Sequence, residues 1–478
     1  MTPHAQYSSP LAERYASAAM LELWSPRTRY GLWRRLWLAL AEAQHELGAP
    51  ITDDAISQMR AHLDDIDFDK VAELEGRYRH DVMAHVHAFG EAAPAARGVI
   101  HLGATSAYVT DNADLILMRR GLEILHAKVV SVVRRLADFA RRWRSEPTLA
   151  YTHLQPAQLT TVGKRATLWI HDLLLDLADL SNRIANMPLR GVKGTTGTQA
   201  SFLELFDGDH AKVKRLEHLV VQRIGFKRAV PVSGQTYTRK IDAQVLGVVA
   251  GVAASAAKFS ADIRMLQSFG EMEEPFEDEQ IGSSAMAYKR NPMRSERIAS
   301  LARFVISLED NANHTHSVQF FERTLDDSAN RRLAIPESFL ATDAILLLMA
   351  NIAGGLEVHP ARIRRRIEEE LPFMATERLI VRAVKAGGDR QDAHEIIRRH
   401  SVDAARALKD GGARNDLLER LAADGRLELS EQDMRDVLEP SLFIGRAAEQ
   451  VDEFLTETLE PVLAAESLAS PDLEKLRV

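Results

Sequence analysis

Between Gly282 and Pro292 the chain sets Ser283, Ser284, Lys289 and Asn291 among small residues, with Glu296 just beyond. Two hydroxyls, an ammonium and an amide thus fall within nine residues, on a backbone open to close approach. Such groups can hold a carboxylate. By composition alone the stretch fits equally well a solvated loop that then starts a helix. His153 stands between Thr152 and Gln155-Pro156. A lone histidine is ordinarily structural. In this setting, read as the start of a helix, it is a candidate acid–base group.

Other arrangements carry less. Gly191, Gly194 and Gly197 are spaced by threes, but the strand that a dinucleotide fold requires is not foreseen before them. No P-loop sequence occurs. His394-Glu395 is followed by His400, the wrong spacing for a zinc-binding HExxH helix. His80, His85 and His87 cluster without forming a recognised ligand set, and His85 and His87 read as structural or substrate-lining. The chain has no cysteine, which excludes disulfides, thiolate metal sites and cysteine nucleophiles. No metal and no cofactor are expected.

The elements that must position these residues are helical. After Asp111, the residues Leu115, Met118, Leu122, Leu125, Val129, Val132, Leu136, Phe139 and Trp143 alternate spacings of three and four, an a/d seam that predicts one long helix ended by Pro147. A second helix is predicted after Pro156, from Leu159 to Met187. A third covers about 241–269, a fourth follows Asn291, and a fifth covers 336–356. The first hundred residues and those beyond His359-Pro360 read as shorter helices, among them 361–370 and 392–400. No strand pattern of useful length is visible. The expected fold is all-α, with three helical domains at 1–105, 106–358 and 359–478. The central one is a long-helix bundle whose surplus apolar surface calls for cover by other copies of the chain.

Composition agrees with this. Hydrophobic residues make up 46% and charged residues 27% of 478, which are globular proportions. The net charge of −8 argues against a general nucleic-acid binder. Residues 1–10 are polar and lack the regions of a signal peptide, and the apolar stretches 246–257 and 339–356 read as buried helices. No membrane partner is expected, and the cytoplasm is the expected compartment.

The order of residues in the serine loop resembles the signature loop of the fumarase/aspartase superfamily, Ser-Ser-x-Met-Pro-x-Lys-x-Asn, with Ala287 where that pattern has proline. The flanks narrow the resemblance to the adenylosuccinate lyase family. They include Tyr288-Lys289-Arg290-Asn291-Pro292-Met293-Arg294-Ser295-Glu296-Arg297, Arg14-Tyr15-Ala16-Ser17, Arg79-His80-Asp81, His101-Leu102-Gly103-Ala104-Thr105-Ser106, Thr152-His153, Ser233 to Lys240, Glu322 to Ser328, and Lys385 to Asp392. These matches run in order over nearly the whole chain.

The resemblance implies a cofactor-free C–N lyase, a homotetramer with shared active sites, that eliminates fumarate from adenylosuccinate and from the succinylated carboxamide ribonucleotide of purine synthesis. It implies that Ser283 takes the proton, that His153 protonates the leaving nitrogen, and that Glu296 orients the histidine. Lys289, Asn291, Thr105, Ser106, Thr152 and Gln235 would hold the succinyl part. Arg79 would bind substrate, and His80 and Asp81 would lie near base and ribose. Arg14, Tyr15, Arg323, Ser328 and Arg332 would hold the phosphate, with Arg297 at a further ligand position. Such an elimination needs these types: an acid and a base on opposite sides, and positive charge on the carboxylate beside the carbanion. The alternatives are a related lyase acting on argininosuccinate, aspartate or malate, and a helical scaffold that has lost the reaction. The phosphate-site matches argue against the first. The joint presence of His153, Ser283, Lys289, Asn291 and Glu296 argues against the second.

Overall fold

The computed structural model describes residues 5–411, 414–427, 429–465 and 476. The first four residues of the polar stretch 1–10 therefore lie outside the described residues. The first helices are α1 (Ala18–Leu23), α2 (Pro26–Glu46), α3 (Asp53–Ala61), α4 (Phe68–Tyr78) and α5 (Asp81–Ala92). The middle of the chain holds α6 (Ser106–Arg142), the strands β1 (Pro147–Thr152) and β2 (Gln155–Thr161), and α7 (Val162–Asn186). There follow α8 (Ala200–Leu205), α9 (His210–Arg223), α10 (Lys240–Phe269), β3 (Met272–Glu273), α11 (Met293–Ser317), α12 (Asp326–Gly355) and β4 (Glu357–Val358). The last third holds α13 (Pro360–Met374), α14 (Thr376–Lys385), α15 (Arg390–Gly411), α16 (Leu417–Asp424), α17 (Glu431–Arg435), α18 (Ala447–Glu453) and α19 (Glu460–Ala465).

The fold is all-α, as the periodicity predicts. In α6, 37 residues or about 55 Å long, every seam residue from Leu115 to Phe139 is buried. It lies against α7 and α12; α10 packs on α11, α7 and α12. Close approach of α6 and α12 depends on Gly121, where a Cβ would fall 2.7 Å from the Phe339 ring. One continuous core joins the N-terminal helices to this bundle. A second, smaller core occupies Ala375–Val437.

Four details differ from the expected pattern. A hairpin stands where no strand is foreseen: β1 and β2 pair antiparallel, with a bulge between Ala150 and Tyr151. Its β-branched and aromatic residues suit a strand, but its turn carries neither glycine nor asparagine. For the same reason α7 starts at Val162, capped by Thr161, and Leu159 belongs to β2. The fifth long helix begins at Asp326, ten residues before its expected start, and it carries Pro336 internally. Among the first hundred residues α2 is a full 21 residues, opened by Ser25 as N-cap with Pro26 at the first position.

Helices α10 and α12 are long and apolar enough to cross a membrane; 83% of the apolar window of α12 and 50% of that of α10 is buried inside the fold. Leu168, Leu175, Met265, Phe304 and Ile306 remain exposed on α7, α10 and α11.

Asp176 on α7 is 9% exposed, and its Oδ2 has no hydrogen-bond partner. Burial, reinforced by Asp172 and Asp179 against a hydrogen bond from Ser255, raises its pKa to about 6. A carboxyl with a raised folded pKa binds its proton more tightly folded than unfolded. Stability is therefore greatest below about pH 4 for this group and is lost as pH rises through 6. Asp176→Asn is expected to raise stability at pH 8 by up to about 3 kcal/mol, with the gain fading towards pH 4. Urea midpoints across that range check this; a difference that ignores pH would refute the assignment.

Candidate active site

A cavity of about 1050 Å³ opens where α5, α6 and α12 begin and the segment before α10 runs beside them. Arg79, His80, Asp81, Thr105, Ser106, Gln235, Arg323, Ser328 and Arg332 all line it, so nine of the residues singled out by sequence converge. Local structure explains their placement. Arg79 closes α4 in the left-handed region (φ 55°), which turns the chain so that His80 can cap α5. Thr105 occupies the N-cap of α6 without a capping bond from its side chain. Gln235 is held by its backbone: its N–H donates to Glu322 O (2.9 Å) and its carbonyl accepts from Arg190 Nε (2.6 Å). Arg332 pairs with Asp81 at 2.9 Å, joining a residue expected at the phosphate to one expected at the ribose side.

Beneath the cavity lies a charge network that sequence reading does not reveal. Arg239 spans Asp111 (3.2 Å, twice) and Asp327 (2.6 Å), and Asp327 also accepts from Arg323 (3.0 Å). Arg331 joins Asp242 (2.7 Å) and Asp114 (3.1 Å), and Asp114 pairs with Arg29 (2.8 Å). Tyr237 connects the two halves: its N–H donates to Asp111 and its hydroxyl to Asp242. Burial and Arg331 push Arg239 towards deprotonation, but the surrounding carboxylates hold its pKa above the ordinary range. Burial would raise Asp114, and Arg29 and Arg331 outweigh it, holding the carboxyl below its usual value. Four carboxylates thus face four guanidiniums. The one readable signal is Arg323 and Asp327 at i,i+4.

Other sequence candidates lie elsewhere on the chain. Thr152 and His153 are exposed at the hairpin tip, not at a helix start. His153 (φ 53°) and Leu154 (φ 58°) form its two-residue turn, both left-handed, which matches the right-handed twist of the strands. The hairpin is braced below the tip: Tyr151 packs on Phe269, whose ring lies 4.1 Å from the Arg366 guanidinium.

Ser283, Lys289 and Asn291 lie on the loop before α11, and Glu296 is exposed in its first turn. The acidic run ahead of that loop pins its root. Glu274 is buried and accepts from the N–H groups of Arg294 and Ser295 (2.9 Å each), a carboxylate on a helix N-terminus. Glu273 and Glu357 both reach Arg290 at 3.4 Å, and Glu277 pairs with Arg294 at 2.8 Å. Asn291 Nδ2 donates to Gly282 O (2.8 Å), closing the loop on itself. Ser283 Oγ accepts from the N–H groups of Ala285 (3.3 Å) and Met286 (3.2 Å). Two backbone donors on one hydroxyl oxygen favour its anion, which distinguishes Ser283 from Ser284. Lys289 N–H to Met286 O (3.0 Å) closes a turn with Ala287 as its second residue, a place where proline is favoured.

Arg14, Tyr15 and Arg297 form a third group, the two guanidiniums 6.0 and 5.3 Å from the Tyr15 ring centre. It is held to the bundle by Ser17, whose N–H and hydroxyl donate to buried Asp343, itself paired with Lys128. None of these three groups lines the cavity. Within one chain no hydrogen bond or ion pair joins Glu296 to His153. His85 is structural, packed on Tyr30 at 4.0 Å and on Trp33, its pKa pushed down to about 4 by burial and Arg34. Glu273, Glu357 and His359 lie within reach of a shared cation, but Arg290 already engages both carboxylates.

The sequence pattern of the lyase family matches residues 16–307, and that of the adenylosuccinate lyase C-terminus matches 372–454. Adenylosuccinate lyase of Saccharomyces cerevisiae is 52% identical over 97% of both chains. That of Schizosaccharomyces pombe is 51% identical over 97% of both, and that of Schistosoma mansoni 48% over 96% of both. Among solved structures, a fumarate lyase from Mesorhizobium sp. BNC1 superposes with TM-score 0.78 at 24% identity, covering 96% of this chain and 100% of that one. The 3-carboxy-cis,cis-muconate lactonizing enzyme of Pseudomonas putida gives 0.81 at 22%, covering 95% and 99%. These two likenesses establish the fold.

The loop geometry yields a paired prediction. A Cβ at Gly282 would fall 2.3 Å from Lys289 O, so Gly282→Ala is expected to displace the serine and to cut turnover by about 100-fold. Ala287→Pro keeps the same turn and is expected to stay within a few-fold of the parent. Steady-state turnover of both variants checks this; similar losses in the two would refute the loop assignment.

Proposed function

The chain belongs to the adenylosuccinate lyase family of the fumarase/aspartase superfamily, and on that premise we propose that it eliminates fumarate from adenylosuccinate, giving AMP, and from the succinylated aminoimidazole carboxamide ribonucleotide in purine nucleotide biosynthesis. The observation that carries the mechanism is the Ser283 oxygen under two backbone N–H groups, on a loop that also presents Lys289. Among the described residues no carboxylate pairs with Lys289, which leaves its ammonium for the substrate.

In this reading Ser283, as its alkoxide, takes the proton from the carbon beside a succinyl carboxylate. The electron pair moves into the C–C bond as the C–N bond breaks, and His153 gives a proton to the leaving nitrogen. Lys289, Asn291, Thr105, Ser106, Thr152 and Gln235 hold the succinyl carboxylates while charge develops there. Glu296 orients His153. Arg79, His80 and Asp81 face base and ribose. Arg14, Tyr15, Arg323, Ser328 and Arg332 receive the phosphate end, with Arg297 at a further ligand position. No metal or cofactor enters these steps.

We further propose a homotetramer in which each site takes its cavity, hairpin tip and serine loop from different chains. That neither the hairpin tip nor the serine loop lines the cavity of its own chain supports this, as do the apolar residues left exposed on α7, α10 and α11. The cytoplasm is the proposed compartment, with neither nucleic acid nor membrane as partner.

The test is fumarate release from adenylosuccinate by the purified chain without added metal. Release is expected, with turnover lost by about 1000-fold or more in His153→Ala and in Ser283→Ala while the fold is kept. A folded parent that releases no fumarate would sink the substrate assignment, and a fast His153→Ala would sink its acid role.

A further inference from the structure

We propose that Asp327 is a positioning residue for Arg323, and that through it the buried network makes the site prefer a phosphorylated substrate over the corresponding nucleoside. The inference rests on reading Arg323 as a phosphate ligand. The Asp327 side chain is 5% exposed, and its two oxygens serve two guanidiniums. Oδ2 takes Arg239 Nε at 2.6 Å, and Oδ1 takes Arg323 Nη1 at 3.0 Å. Arg239 cannot follow Arg323 if that residue moves. It is itself only 1% exposed and forked onto Asp111, and its backbone N–H is fixed on Gln319 Oε1 at 2.8 Å. Arg323 is different: its side chain is 27% exposed and it lines the cavity. One of its nitrogens is tethered to a fixed carboxylate, so it presents the rest of the fork in a set direction.

A free arginine loses much rotamer freedom on binding, and a tethered one has already lost it. The carboxylate near the phosphate position does not repel it, because both its oxygens are engaged by arginines. Preorganisation of this kind acts on binding of the phosphate end, which is remote from the bond that breaks. It should therefore appear in KM rather than in kcat.

The experiment compares adenylosuccinate with its dephosphorylated nucleoside in Asp327→Asn, Arg323→Met and the double variant. In Asp327→Asn, KM for the nucleotide is expected to rise about tenfold. Turnover should stay within about twofold, and kcat/KM for the nucleoside should hold. The double variant is expected to be no worse than Arg323→Met alone. Equal losses on both substrates, a loss confined to kcat, or additive losses would overturn the inference. Arg323→Met with unchanged nucleotide KM would remove the phosphate reading beneath it. A raised KM in Arg323→Met beside a normal one in Asp327→Asn would overturn the inference alone. Should Asp327→Asn fail to fold, Asp327→Glu keeps the charge, displaces the oxygens and reads the same discrimination between nucleotide and nucleoside.

Discussion

Three long helices begin at one point, and charge holds them there. Asp111 of α6, Arg239 before α10, Asp327 and Arg331 of α12, and Asp242 of α10 are buried together, with Tyr237 between their two halves. Buried ion pairs add little net stability compared with well-packed apolar groups, because desolvation offsets attraction. Their effect is on arrangement. Each carboxylate has one set of partners that leaves no charge unpaired, so sliding one helix end past another would strand a charge at a cost of about 3–5 kcal/mol. The helix starts are also where Thr105, Ser106, Gln235, Arg323 and Ser328 sit. The polar floor thus specifies the cavity that the apolar seams alone would leave free to shift.

The rest of the chemistry is built differently. The hairpin tip and most of the serine loop are exposed, and each is stiffened at its root rather than along its length. The hairpin is braced through Tyr151, Phe269 and Arg366. The loop is braced through Glu274 on the start of α11, Arg290 between two glutamates, and Asn291 across its neck. The two roots adjoin, since Phe269 and Glu273 are four residues apart. A firm base with an exposed tip suits a group that must be presented to a surface other than its own.

Much of the fold was legible because burial imposes a period. The α6 seam, the ends near Phe269 and Met187, and the polar start of α11 follow from spacing and breakers. The hairpin was not legible: Pro147 and Pro156 read as helix punctuation, and a turn of His153 and Leu154 has none of the usual turn residues. The serine loop was visible in its side chains, but the two N–H groups on Ser283 belong to the backbone and leave no mark in the sequence. The network was hidden for another reason. Asp111, Arg239 and Asp327 are far apart along the chain, and nothing in their local spacing brings them together. Asn291 shows a further limit, because a side chain read as a substrate ligand also closes the loop that carries it.

Surface loops commonly absorb insertions and deletions, and the hairpin tip looks like such a place. Its turn argues otherwise. Two residues with positive φ fix the register of the strands, and side chains alternate faces along each strand. One residue more or fewer between Tyr151 and Pro156 would turn a whole strand over, unseating Tyr151 from Phe269 and pointing the imidazole the other way. The tip should therefore accept changes of side chain at Leu154 far more readily than any change of length.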